Sequence, residues 1–454
     1  MLEHLLYANE RLSSLVWGVP MLTVFLSVGL FLSIESKFFQ LRHIKLWFGQ
    51  TLLAVFRDKN VRKTQDSNSI SQFQALSSAL AACMGTGNIV GVATALFAGG
   101  PGAIFWMWLS AFLGMMTCCA ENILGIKYRY KNSRNEWIGG AMIYIQRGLG
   151  SKSMATIFSV LLVLASFGIG NMTQANSIAQ AVEGSFKLSP LITGLVTAAV
   201  VGLVIIGGIK RIAGVTEKLI PLISCIFIVA SMIVLFINIE KIPSVFSLII
   251  REAFSFESVA GGAAGYKIAR AARFGVSRGV FSNEAGLGST AIIHAAADVK
   301  EPSIQGMWGI AEVFLDTIVM CTVTAFVILS TGVFSPEGSL NGVALSSAAY
   351  SSVFGVAGDY FVCISIILFA FATLIGWSYF GEKGSEYLFG LKSVPVYKAL
   401  FLIATVIGCV SRLDTVWIIS DTLNGLMAIP NLFAVIMLSG QVNRELKSYM
   451  TKKI

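Results

Sequence analysis

Two apolar runs, Leu188 to Ile209 and Leu219 to Ile239, contain no Lys, Arg, Asp or Glu. At about 1.5 Å of rise per residue, each can cross a hydrocarbon core of about 30 Å as a helix. In lipid every backbone polar group must be satisfied within the protein, so such runs restrict the fold to helices packed in a bundle. A membrane barrel would show short alternating segments instead. Composition agrees. Of 454 residues, 55% are hydrophobic and 13% charged, with a mean hydropathy of +0.76. A soluble core of this size does not need so much apolar surface.

Hydrophobic runs and their breakers predict eleven spans, near 15–35, 71–98, 102–126, 155–182, 188–209, 216–239, 262–299, 305–332, 360–389, 395–410 and 415–440. The start of the chain, MLEHLLYANERL, is not a basic signal region, so Val16 to Ile34 reads as a retained span. The seventh is the most polar, with Arg270, Arg273, Arg278 and Glu284. Placing the N-terminus outside puts most of the 33 Lys and Arg on the inner side, while the loop from Gly332 to Asp359 has none. The bias predicts N-out, C-in topology in the cell membrane. It also accounts for the net charge of +9, which serves topology and anionic lipid better than nucleic acid. The stretch FFQLRHIKLWFGQTLLAVFRDKN interleaves apolar and basic residues as a helix lying in the inner interface does. The outer loop from Ile242 to Ala264 is long enough to fold over an entrance. All seven cysteines lie in apolar runs and read as packed side chains. His4, His43 and His294 are scattered and make no zinc spacing.

Two spans carry breakers in their middles. The second contains Gly85-Thr86-Gly87-Asn88, and the seventh contains SNEAGLGST from Ser282 to Thr290. With the first span set aside, the breaks fall in the first helix of each half of the remaining ten. Five spans per half is odd, so the halves run inverted. The expected organisation is an N-terminal span plus basic segment (1–70), a first repeat (71–239), an outer loop and second repeat (240–440), and a basic cytoplasmic tail (441–454). Interrupted helices at matching positions point to a secondary transporter's binding site. Unwinding frees N–H groups that attract a carboxylate and C=O groups that attract a cation. Glycine permits the dihedrals and lets a ligand approach the backbone. Gly87 with Gly91 also fits simple small-residue packing between helices.

Four stretches together, GTGNIVGVATALFAGGPGAIFWMW, GIGNMTQANSIAQ, ARFGVSRGVFSNEAGLGSTAIIHAAA and LFAFATLIGWSYFGEKGSEYLFG, carry a resemblance over nearly the whole chain. The sequence resembles the alanine or glycine:cation symporter family, also called sodium:alanine symporters. The resemblance implies an all-α membrane fold, the five-plus-five inverted repeat of the bacterial leucine transporter with one extra N-terminal helix. One departure is Ala141, where family members often have proline, in what reads as a loop.

Candidate residues follow. Thr86, with the backbone of Gly85 and Gly87, is the first choice for a substrate carboxylate, and Gly286 and Gly288 offer backbone from the second break. Asn88 suits a cation or the substrate ammonium, or else caps the resumed helix. Asn171 and Gln174 are three apart and share a helix face. Interhelical hydrogen bonding is one role for them, and the resemblance implies a substrate-facing Gln174. Thr373 and Trp377 also share a face. In leucine-transporter-like folds the corresponding helix helps build a sodium site, which implies Thr373 as a hydroxyl ligand beside the carbonyls of Ala81 and Met84, with Trp377 walling the pocket. Glu121, read as ending the third span, and Glu312 and Asp316 of the eighth are intramembrane acids that relay protons or pair with Lys or Arg. Glu284 joins a gating network or caps a half-helix.

The predicted activity is uptake of a small neutral amino acid, alanine or glycine, coupled to Na⁺, with H⁺ as the alternative ion and glutamine as the alternative substrate. The lipid bilayer is the expected environment, and neither nucleic acid nor an obligate protein partner is implied. Walker and nucleophile-elbow motifs are absent from the sequence, which argues against an enzyme. A channel would need a filter-like loop, and none is evident.

Overall fold

The computed structural model describes residue 9 and residues 11–254, 263–335, 338–411 and 414–453. The start of the chain with His4, and the part of the outer loop at 255–262, lie outside these residues. The described chain is almost wholly helical, apart from one two-stranded hairpin, Tyr130–Lys131 with Trp137–Ile138.

Helical segments lie at all eleven predicted positions. In chain order they begin with α1 (Val19–Glu35) and three short helices, α2 (Phe39–Arg42), α3 (Ile44–Gln50) and α4 (Ala54–Arg57). The first repeat region holds α5 (Gln72–Cys83), α6 (Val90–Gly99), α7 (Gly102–Tyr128), α8 (Ala141–Gly148), α9 (Lys152–Phe167), α10 (Thr173–Phe186), α11 (Pro190–Ile205) and α12 (Gly208–Ile237). After α13 (Ile242–Ala253) come α14 (Ala263–Asn283), α15 (Thr290–His294), α16 (Pro302–Val313), α17 (Thr322–Thr331), α18 (Gly342–Phe354), α19 (Val356–Phe389), α20 (Val394–Val410) and α21 (Asp414–Lys453). Among the described residues eight helices are long and apolar enough to cross a membrane. The second and seventh predicted spans are split, and the fifth, α11, has 16 residues.

Several expectations change. The stretch after α1 is not one interfacial helix but three short ones, because His43 and Thr51 leave helical geometry. Trp47 then turns inward, 2% exposed, and its indole donates to the Gln40 carbonyl at 2.9 Å. Ala141 does not lie in a loop. It is the first residue of α8, behind Gly140 at φ 94°, a position where proline's fixed φ also fits. The basic tail is no separate segment, since α21 continues to Lys453 and buries Val442, Leu446 and Tyr449. The fourth and eighth spans are not regular. Each widens into a π-type turn, at Gly168–Met172 and Phe314–Cys321, the kind of defect that clusters at functional sites.

Helix α7 is the pillar of the bundle and packs against α1, α14 and α16. Its lower half is buried on every side, including Glu121 and Asn122 at 0% exposure. By contrast α12 turns Leu222, Ile226, Val229, Ile233 and Phe236 outward, as a helix bordering lipid must. At one end the two broken spans are tied by backbone. Ile70 N–H donates to Ala296 O at 3.1 Å, and Asp298 N–H to Ile70 O at 2.8 Å.

Candidate substrate and ion site

The first break begins where α5, started by a reciprocal Ser71–Gln74 cap, runs out at Cys83. Gly85 takes φ −110°, ψ −140°, and a single turn over Thr86–Asn88 precedes α6. The second break follows α14. Glu284 (φ 56°), Gly286 (φ 95°) and Gly288 (φ 74°) all occupy left-handed backbone before α15. Glycine adopts that region without penalty, whereas Glu284 does not.

Between the breaks lies a small, partly open cavity of about 20 Å³, room for roughly one water. Gly85, Gly87, Gln174, Thr373 and Trp377 line it, as do Cys83, Phe281 and Glu284. The Trp377 indole donates to Glu284 Oε1 at 2.8 Å, and Ser289 donates to the other carboxylate oxygen. Thr373 Oγ1 lies 3.0 Å from the Ala81 carbonyl and 3.1 Å from the Phe369 carbonyl, either of which can accept its one proton. A methyl group on Gly85 would sit 2.5 Å from that hydroxyl, so only glycine lets the first break approach α19 this closely. Thr86 Oγ1 lies 3.3 Å from Gln174 Oε1. Beyond Gly87 and Phe281, which line both spaces, a vestibule of about 460 Å³ opens among Thr94, Gln180, Arg278 and the start of α18.

Other predicted residues lie elsewhere. Asn171 donates to the Phe401 carbonyl at 2.7 Å and does not line the cavity. Gly286 packs on Phe25 and Leu432, and Gly288 on Asn431 and Ala141; neither lines the cavity, and the backbone of both hydrogen-bonds Glu121 behind the break. Met84 ends α5 and turns its sulfur to Ser224 at 3.6 Å. Asn88, grouped with Ala81, Met84 and Thr373 as an ion ligand, belongs to a separate cluster. Its Nδ2 donates to Asp316 Oδ1 at 2.8 Å and to the Asp316 carbonyl at 3.0 Å. Ser282 and Thr317 donate to Asp316 Oδ2, each at 2.8 Å.

Glu121, Glu284 and Asp316 take uncharged hydrogen-bond partners, and Glu312 takes a histidine. Glu121 does not end its helix, because α7 runs two turns further, and it accepts from Asn431 Nδ2 at 2.5 Å. Glu312 contacts His294. No hydrogen bond from Lys or Arg to Glu121, Glu284, Glu312 or Asp316 is present among the described residues. Sequence reasoning missed Phe281, Cys83, Ile169 and Asn424 as cavity residues. It also missed Gly170, on which a methyl would meet Trp377 at 2.5 Å. The two glycines of GIGNM were the available signal for that approach.

The end opposite the vestibule is crossed by charged contacts. Lys131 binds Asp66 at 2.7 Å, and this ammonium holds the Asp66 carboxyl down at about 2. Arg129 donates to the carbonyls of Ala295, Ala297 and Val299. Buried Lys383 binds Glu386 at 2.8 Å and Glu136 at 3.4 Å.

Two broken helices that line one cavity, with a vestibule on one side and ion pairs on the other, define a secondary transporter of the leucine-transporter fold. Solved structures agree on the fold. A structure of MhsT in complex with L-phenylalanine aligns at TM-score 0.56 and 14% identity, covering 80% of this chain and 89% of that one. A manganese transporter of Eremococcus coleocola aligns at 0.51 and 14%, covering 82% and 78%. The chain belongs to the sodium:alanine symporter family, whose profile matches residues 3–454. It is 42% identical over 446 residues to the sodium/alanine symporter AgcS of Methanococcus maripaludis, covering 97% of this chain and 96% of the relative. It is 39% identical over 455 residues to the probable sodium/glutamine symporter GlnT of Bacillus subtilis, covering 100% and 91%. It is therefore a multi-pass membrane transporter of a cation-coupled amino-acid symporter family, not an enzyme.

Proposed function

We propose that this protein carries alanine or glycine into the cell together with Na⁺ by alternating access. The observation that carries the reading is the cavity between the breaks. It is walled by Trp377 and Phe281 and holds about one water as it stands, so even a small amino acid enters only when these walls move apart, and the two rings then limit the length of its side chain. In this reading the amino-acid carboxylate meets the N–H groups at Gly85 to Gly87 and the Thr86 hydroxyl, with Gln174 beside it. Na⁺ takes the Ala81 carbonyl and the Thr373 hydroxyl, two hard oxygens already 3.0 Å apart. The ion thereby joins α5 of the first repeat, 71–239, to α19 of the second, 240–440. Asn88 instead fixes the first break to the eighth span through Asp316.

The basic ion-paired end faces the cytoplasm and the vestibule faces outside, with the N-terminus out. Phe281 is the thin gate between vestibule and cavity, and the Lys131, Arg129 and Lys383 contacts are the thick one. One charge crossing 100 mV releases about 2.3 kcal/mol, and a tenfold sodium gradient adds about 1.4 kcal/mol. Together they sustain an amino-acid gradient of several hundredfold at one-to-one coupling.

Uptake of a labelled panel of glycine, alanine, leucine and glutamine into proteoliposomes, with and without a Na⁺ gradient, tests this. Saturable, Na⁺-dependent uptake of alanine or glycine is expected. Preferential glutamine uptake would replace the substrate assignment, and gradient-independent ion flux would replace the mechanism.

A further inference from the structure

A second set of buried groups beside the cavity has no part in that reading. His294, at the end of α15, and Glu312, in α16, are both 0% exposed, with Nε2 2.9 Å from Oε2. The other ring nitrogen, Nδ1, is held by the Gln305 amide nitrogen, while Gln305 Oε1 is buried without a partner. Glu312 Oε1 accepts from the Cys83 thiol at 3.4 Å, and Cys83 lines the cavity. One side chain therefore separates this pair from the space assigned to substrate and ion.

The charge of the surroundings restricts what the pair can carry. Cys83 faces it from α5, Cys118 (3.6 Å from Glu312 Oε2) and Glu121 from α7, Glu284 from the second break and Asp316 from the next turn of its own span. Among the described residues these other neighbours are acids and thiols, while the Arg129 guanidinium, beside His294 at the Ala295 carbonyl, is bound to three backbone carbonyls. A neutral imidazole beside a carboxylate leaves one net negative charge. One more proton makes the pair neutral, as imidazolium–carboxylate or as imidazole–carboxylic acid. In a membrane interior the neutral form is favoured unless a cation stands nearby. Gln305 serves both forms. Its N–H donates to an unprotonated Nδ1, and on rotating the amide its free oxygen accepts from a protonated one.

We propose that His294 and Glu312 form a proton site whose occupancy opposes that of Na⁺ in the adjoining cavity. This rests on the cation position given under Proposed function. Entry of one Na⁺ beside Cys83 releases one proton, so the interior charge is unchanged. By linkage, the factor by which Na⁺ weakens proton binding equals the factor by which the proton weakens Na⁺ binding. Lower pH therefore weakens Na⁺ binding.

The test uses purified full-length protein in weakly buffered detergent. NaCl, or choline chloride as control, is added while a pH dye counts protons and radioactive sodium measures binding. Release of up to about one proton per chain at saturating Na⁺ is expected, with half-saturating Na⁺ rising about tenfold from pH 8 to pH 6. Glu312→Gln removes the negative charge that the proton neutralises, so it should release no proton and bind Na⁺ weakly with no wild-type pH dependence. His294→Gln keeps the carboxylate and should still release protons, over a shifted pH range. Sodium binding without proton release from the wild type overturns the proposal alone, whatever the variants do. So does a Glu312→Gln protein with wild-type pH dependence. Absence of sodium binding overturns both this proposal and the symport reading.

Discussion

Thr373 makes two demands on its neighbours at once. Its hydroxyl points to the end of α5, and the same oxygen leaves no room for a side chain at position 85. Thr373→Val keeps the shape and removes the oxygen. The expected result is a rise of about tenfold or more in half-maximal Na⁺ for uptake, equivalent to about 1.4 kcal/mol, with Thr373→Ser much milder. Sodium titration of uptake in proteoliposomes checks both, and a wild-type titration for Thr373→Val would move the ion site elsewhere. Trp377 is anchored by its indole N–H to Glu284, so its ring position does not depend on packing alone. Trp377→Phe loses that anchor and Trp377→Ala the wall. The alanine variant should admit leucine and glutamine as competitors while weakening alanine itself, as competition assays would show. Glu284, which sequence left between gate and cap, is placed by the fold as the partner that aims Trp377.

At the scale of elements, the defects in the helices matter as much as the helices. The π-type turn at Gly168–Met172 frees the Ile169 carbonyl, which Gln174 Nε2 reaches at 3.2 Å, and brings Gly170 against Trp377. Gly170→Ala would place a methyl 2.5 Å from the Trp377 side chain, which must then move toward the cavity or lose Glu284. Overpacking of this kind costs about 1–3 kcal/mol. Alanine uptake should fall about tenfold, and glycine, lacking the methyl, should be affected less. Equal loss for both substrates would show that the variant harms the helix and not the cavity.

Across the whole molecule the two ends differ, and in the proposed mechanism that asymmetry sets which side is open. Lys383 is 2% exposed and leans on Glu386, with Glu136 as a more open second partner. Glu386→Gln removes the nearer charge and should destabilise closure at this end by about 1–3 kcal/mol. In a Cys225→Ser background, since Cys225 is the exposed cysteine among those described, Cys83 should then react faster with a soluble thiol reagent applied to that face. An unchanged rate would exclude Lys383 from the gate. The Asp66–Lys131 contact behaves differently with pH. Its carboxyl is held down at about 2, so its contribution is present above the ordinary carboxylate value and is lost only as pH falls toward 2. Asp66→Asn should therefore leave any change in Na⁺ affinity between pH 6 and pH 8 untouched.

Hydropathy alone determined a helical membrane bundle, because lipid leaves the backbone no other way to satisfy itself. Glycines in the middle of two spans located both breaks, since only a position that gains from freed backbone tolerates such poor helix formers. Helical spacing put Thr373 and Trp377 on one face. Spacing within one helix says nothing about which neighbour that face meets, so tertiary packing decided the rest. It set Asn88 on Asp316 instead of beside Thr373, turned Asn171 toward α20, and placed Gly286 and Gly288 behind the break. It also brought His294 onto Glu312 across a change of chain direction, a pairing invisible to a scan for clustered ligands. Long-range contacts between polar residues follow from how α7, α15 and α16 cross, and the energy of burying each polar group without a partner selects the pairs that form.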